Sequence, residues 1–185
     1  MRKLQRGFTL IELLVVATIA AVLVGVAALS VNFGGGDKQV EDEARRLAAL
    51  LQLAADDAVL RRRELGLRVT TGGYAFYQLD QSGEEPSWQP VDKDPRLRER
   101  SWPEALEIEM EIEGQPIVLD APGAESREPQ NDDDQAPPVQ PQVMFLSNGE
   151  SLPYFAVLLR HPDLPGGWRL QSGEERLLDL QRDDF

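Results

Sequence analysis

The chain has 185 residues, with 19 basic and 32 acidic side chains and a formal net charge of −13. That length holds one domain of ordinary size plus an appendage, with little room for two cores. The charge argues against a nucleic-acid binder and against docking on anionic lipid, and the lack of any Cys excludes a disulfide scaffold, thiolate zinc and a cysteine nucleophile.

At the N-terminus, Arg2, Lys3 and Arg6 precede Gly7 and then Phe8-Thr9-Leu10-Ile11-Glu12. From Leu13 to Val31 the chain runs 19 residues without a charge, long enough as a helix to span about 28 Å of a hydrocarbon layer about 30 Å thick. Positive charge before the block and an acidic remainder after it put the N-terminus in the cytoplasm and the rest across the membrane. Two readings compete. One is a cleaved secretory signal with small residues at Val26-Ala27-Ala28; the other is an anchor that stays. Glu12 favours the anchor. A carboxylate inside an apolar block weakens a signal, whereas an intramembrane acid marks a functional site in need of a partner.

Gly34-Gly35-Gly36 reads as a flexible break, with Asp37 as the N-cap of a second helix. Val40, Ala44, Leu47, Leu51, Ala54 and Ala58 form one apolar stripe at helical spacing. Glu41 with Arg45, Asp42 with Arg46, and Asp57 with Arg61 are i,i+4 pairs for its wet side. Arg61-Arg62-Arg63 suit a helix C-terminus, and Gly66 marks the exit. Beyond it the period falls to 2. Leu67 and Val69, a Thr71-Gly72-Gly73 turn and Tyr74 to Leu79 predict a β-hairpin. Leu106, Ile108, Met110 and Ile112 alternate with Glu107, Glu109, Glu111 and Glu113, as in a strand with one buried and one acidic face. Ile117 to Leu119 pairs with it across Gly114-Gln115-Pro116. Further strands are expected at 143–146, 155–160, 168–170 and 177–180. Between them, 120–142 holds five prolines, six acids and one base, and reads as a long mobile loop.

The string from Lys3 to Glu12 resembles the leader and cleavage site of type IV pilins and type II secretion pseudopilins. That resemblance implies a cut between Gly7 and Phe8 by a prepilin peptidase, N-methylation of Phe8, and a role in assembly for Glu12. Physically, Glu12 of one subunit can pair with the Phe8 ammonium of a neighbour, each offsetting the other's desolvation. The segments Glu43 to Leu51, Arg63 to Arg68, Gly73 to Phe76, Trp88 to Val91 and Phe145 to Gly149 are similar to the H-type minor pseudopilins. The implied fold is α+β and pilin-like: a long N-terminal helix, half membrane anchor and half amphipathic, packed on antiparallel β-sheets. The implied organisation is a leader at 1–7, an assembly helix at 8–33 and a periplasmic domain at 37–185. Function is then structural, at or near the tip of a periplasmic pseudopilus that drives folded proteins across the outer membrane. Expected partners are other major and minor pseudopilins, the prepilin peptidase, the inner-membrane assembly platform and secreted exoproteins. Neither a cofactor, a metal nor a nucleic acid is expected.

Rival readings are few. A minor pilin of a type IV pilus shares leader and anchor, and a soluble periplasmic protein would follow from signal cleavage. An enzyme would have to use His161, the sole His, or the Glu107 to Glu113 ladder, and neither pattern builds a nucleophilic or metal site. Asp132-Asp133-Asp134 lacks the alternating spacing and Gly of a calcium loop.

Overall fold

The computed structural model describes residues 9–123, 139–173 and 177–183, except for the side chains at 26–35. Helix α1 (Leu10–Arg61) has 52 residues and a length of about 78 Å. It passes through 34–36 without a break, so the expected hinge and second N-cap are absent. Each helical Gly costs about 1 kcal/mol against Ala, but the well-packed turns that follow outweigh it. Gly36 has its own reason to be small: the turn at His161–Leu164 lies against it, and a Cβ there would sit 3.0 Å from Leu164 Cδ1. Instead of capping, Asp37 forms an ion pair of 3.2 Å with Arg182.

The stripe from Val40 to Ala58 is buried as its spacing requires. The charged flank departs in one pair. Glu41 holds Arg45, but Arg46 turns to Glu43 at 2.6 Å and not to Asp42. Nor does the helix exit lie at Gly66. Arg62, left-handed at φ 51, is the C-cap, and its N–H reaches the carbonyls of Ala58 and Val59. Gly66 lies within a strand, where Pro141 packs so closely that a Cβ would come 2.4 Å from its Cγ.

Eleven strands follow among the described residues. β1 (Leu65–Val69) and β2 (Gly73–Asp80) form the expected hairpin, with Val69 opposite Tyr74. Three short strands that the sequence did not announce are β3 (Ser87–Pro90), β4 (Arg100–Ser101) and, later, β8 (Ser151–Leu152). With β7 (Val143–Phe145) they make a sheet in the order β3-β2-β1-β7-β8, β4 pairing on β2. The second sheet runs β11-β10-β9-β5-β6, from β5 (Glu107–Ile112), β6 (Gln115–Ile117), β9 (Phe155–Arg160), β10 (Gly167–Ser172) and β11 (Leu178–Asp183). Every pairing in both sheets is antiparallel. Inner faces of both meet the helix stripe in one cluster, with Leu67, Val69, Phe76 and Phe145 from the first and Met110, Val157, Leu159 and Leu170 from the second.

The β5–β6 turn is tighter than expected. Glu113 and Gly114 both take positive φ, 50 and 72, and Ile112 faces Gln115. Two such residues match the twist of the flanking strands. Along β5 the acidic face meets cations, Glu109 pairing with Arg160 and Glu111 with Arg169 at 2.9 Å. The acidic segment is fixed at both described ends to β1 and its turn. Thr71 N–H donates to Asp120 O at 2.9 Å, and the Gln142 amide exchanges two hydrogen bonds with the Val69 backbone, at 2.8 and 2.9 Å. Residues 124–138, with Asp132 to Asp134, lie outside the described residues.

Candidate assembly interface

The two ends of α1 offer different chemistry. At its start Thr9 is extended (φ −83, ψ 149) and its hydroxyl accepts from Glu12 N–H at 3.3 Å. Glu12 thus sits in the first turn, where a carboxylate suits the helix dipole. Its side chain is exposed, and the residues around it are apolar and open: Leu10 is 87% exposed, Ile11 72% and Leu14 67%. Leu23 and Val24 continue the open apolar surface. Gly7 and Phe8 lie outside the described residues. So do the side chains of residues 26–31, which complete the uncharged block. Among the described residues, no helix is long and apolar enough to cross a membrane.

Within the domain, two carboxylates on α1 are buried: Asp57, expected on the wet side with Arg61, and Glu43, which the stripe did not take in. Glu43 takes Arg46 at 2.6 Å and the Tyr74 hydroxyl at 3.2 Å. Burial first, and then the Glu43 charge, push the Tyr74 phenol above its usual range. Asp57 takes Arg61 and Arg63, each through Nε at 2.9 Å, and Arg63 donates onward to Gln78 at 2.5 Å. The signal was present in the spacing. Positions 43, 47, 50, 54 and 57 repeat at helical intervals and share Leu47 and Ala54 with the apolar stripe, so an acid at either end of that row is drawn inward.

None of this builds a reaction centre. His161 sits in a turn, its Nδ1 accepting from Asp163 N–H at 3.2 Å. A cavity of about 770 Å³ at the C-terminal end of α1 is lined by Arg61, Arg63, Lys93 and Arg96 but also by Asp80, Asp92 and Asp94. There the Arg96 side chain, with its own backbone N–H, holds the Asp94 carboxyl down to about 2. No described group of three or more His, Cys, Asp or Glu is placed to hold a metal.

Comparison with known proteins decides the family. Residues 2–28 match the prokaryotic N-terminal methylation motif, and residues 43–182 match the type II transport protein GspH model. The chain belongs to the GspH family. A relative named type II secretion system protein H, from Pseudomonas aeruginosa, is 38% identical over 98% of this chain and 92% of its own length. Another of that name, from Aeromonas hydrophila, is 29% identical over 88% of this chain and 85% of its own. The crystal structure of the minor pseudopilin EpsH of Vibrio cholerae superposes with a TM-score of 0.58, covering 80% of this chain and 97% of that one at 23% identity. The solution structure of Escherichia coli GspH gives 0.54, covering 80% and 90% at 21% identity. At those identities the likeness is one of fold, and it bears out the α+β arrangement of one long helix on antiparallel sheets. As a GspH, this is a minor pseudopilin of type II secretion, a structural subunit of a family that is not enzymatic. The methylation motif and the GspH family make it an inner-membrane-anchored protein with a periplasmic domain.

Proposed function

We propose that prepilin peptidase cuts between Gly7 and Phe8 and methylates the new amine, and that the mature chain then serves at or near the tip of the periplasmic pseudopilus. The helix stays as a single pass with its N-terminus cytoplasmic. Other major and minor pseudopilins are its neighbours, the inner-membrane platform assembles it, and secreted exoproteins meet the filament it helps to build. It does so without catalysis or cofactor. The observation that carries this reading is Glu12: an exposed acid in the first turn of α1, among open apolar residues and four residues after Phe8 in a methylation motif. In lipid such a carboxylate is costly alone, and an ammonium on a neighbouring subunit offsets that cost while setting axial register.

Two measurements test it. Mass spectrometry of the membrane-extracted protein should find a first peptide that begins at Phe8 and carries one methyl group. A start near residue 29 would instead mean signal cleavage and would end the proposal. Glu12→Ala should leave that peptide unchanged and lower co-purification with the other pseudopilins by roughly tenfold or more, given the cost of an unpaired charge. Undiminished co-purification would refute the pairing.

A further inference from the structure

The borders of the two sheets are not alike. Among the described residues, β4 and β8 have two residues each, and Pro153 follows β8 directly. β3 has four, preceded by Pro86 and ended by Pro90, and β6 has three with Pro116 at its centre. Short length and proline are the usual protections of an open edge, because they remove the row of N–H and C=O groups that a second chain could pair with. β11 lacks both. It has six residues and no proline, and all six are in register with β10, from Leu178 opposite Ser172 to Asp183 opposite Gly167. Half of its backbone groups therefore point away from β10, and no other described strand pairs with them.

The side chains of β11 differ by face. Leu178 and Leu180 lie on the face of buried Leu170, packed against the core yet only half-buried. On the opposite face are Asp179, Gln181 and Asp183, with the Gln181 amide on Asp179 at 2.5 Å and Arg169 on Asp183 at 3.4 Å. The strand is also held rigid from below, because Arg182 is tied to Asp37 of α1. An added strand would cover the two leucines with apolar side chains and meet the acidic row with basic ones.

We propose that the outer edge of β11 is a β-augmentation site, and that it receives an extended segment of a neighbouring pseudopilin in which apolar and basic residues alternate. Only the source of that segment rests on the assembly reading above. The edge itself is testable on this chain alone, so its failure would leave the pairing of Glu12 untouched.

The probe is a blocked eight-residue peptide of alternating valine and lysine, added to the full chain in detergent micelles and followed by amide NMR. Shifts should concentrate at 178–183. The same peptide N-methylated at every residue keeps its charge but cannot pair, and should leave those amides unmoved. Asp179→Lys should weaken binding about fivefold, the scale of one exposed ion pair, with spectral dispersion unchanged, and Asp179→Glu should restore it. The proposal is overturned if the shifts centre on 115–117 or on the acidic face of β5, if both peptides act alike, or if nothing moves.

Discussion

Helix α1 is one continuous element with two unlike halves. Near its start, Leu14, Val22 and Leu23 are 67%, 60% and 64% exposed; further on, Leu47, Leu51 and Ala54 are fully buried. Apolar content does not separate them, because both halves are rich in it. What separates them is periodicity: the first half is apolar all round, the second on one stripe with charges beside it. A helix apolar on every side needs surroundings that the chain itself does not supply. The periodic half makes its own by packing on two sheets. Leu51→Ala should therefore cost about 3 kcal/mol, since it opens a cavity in the shared core. Leu14→Ala should change domain stability by less than about 0.5 kcal/mol. Urea unfolding followed by tryptophan fluorescence reads this directly, because Trp88, Trp102 and Trp168 all lie in the domain. Equal losses from both variants would erase the distinction.

The same contrast explains what was legible in the sequence. The stripe, the hairpin after Arg63, the alternation along β5 and the strand at 155–160 are local patterns, and each formed where its spacing placed it. Several departures involve partners distant in sequence. The helix passes Gly36 because a turn more than a hundred residues later packs on it, and Gly66 is small because Pro141 lies across it. Arg46 prefers Glu43 because Tyr74, on β2, helps hold that acid inside. The short strands β3, β4 and β8 carry too few residues to show a period. At the candidate interface, the methylation motif was legible because its residues are contiguous, whereas the outer edge of β11 exists only by comparison with the other edges of the folded sheets.

Glycines sharpen the comparison at a smaller scale. Gly25, in the open half of the helix, would place a Cβ with nothing within 4 Å. Gly25→Ala should leave domain unfolding unchanged and favour helix locally by about 1 kcal/mol. Gly66→Ala drives a methyl into the Pro141 ring and should cost about 2 kcal/mol, because the segment leading into β7 must shift. A shift of Gln142 off Val69 would accompany it, visible as faster exchange of the Val69 amide, which the Gln142 side chain now holds at 2.8 Å. A neutral Gly66→Ala would mean that this end of the acidic segment is not fixed to the sheet.

The smallest effect expected is electrostatic and lies at the far end of the packed half. Asp94, held chiefly by the Arg96 side chain and then by the Arg96 N–H, titrates at about 2 in the folded protein, below the roughly 3.9 of an unfolded aspartate. A carboxyl depressed on folding stabilises the native state fully above its unfolded value, and that contribution fades as pH falls through the folded one. Between about pH 4 and pH 2, then, the native state binds fewer protons here than the unfolded chain, and stability falls with acid. Asp94→Asn should flatten this limb of a stability-against-pH curve while leaving its slope above pH 5 unchanged. The size is limited because Arg96 is about half exposed and solvent screens the pair. Leu14→Ala, in the open half, removes no titrating group and should leave the domain's acid profile as it was. A change there would mean that the two halves of the helix are coupled after all.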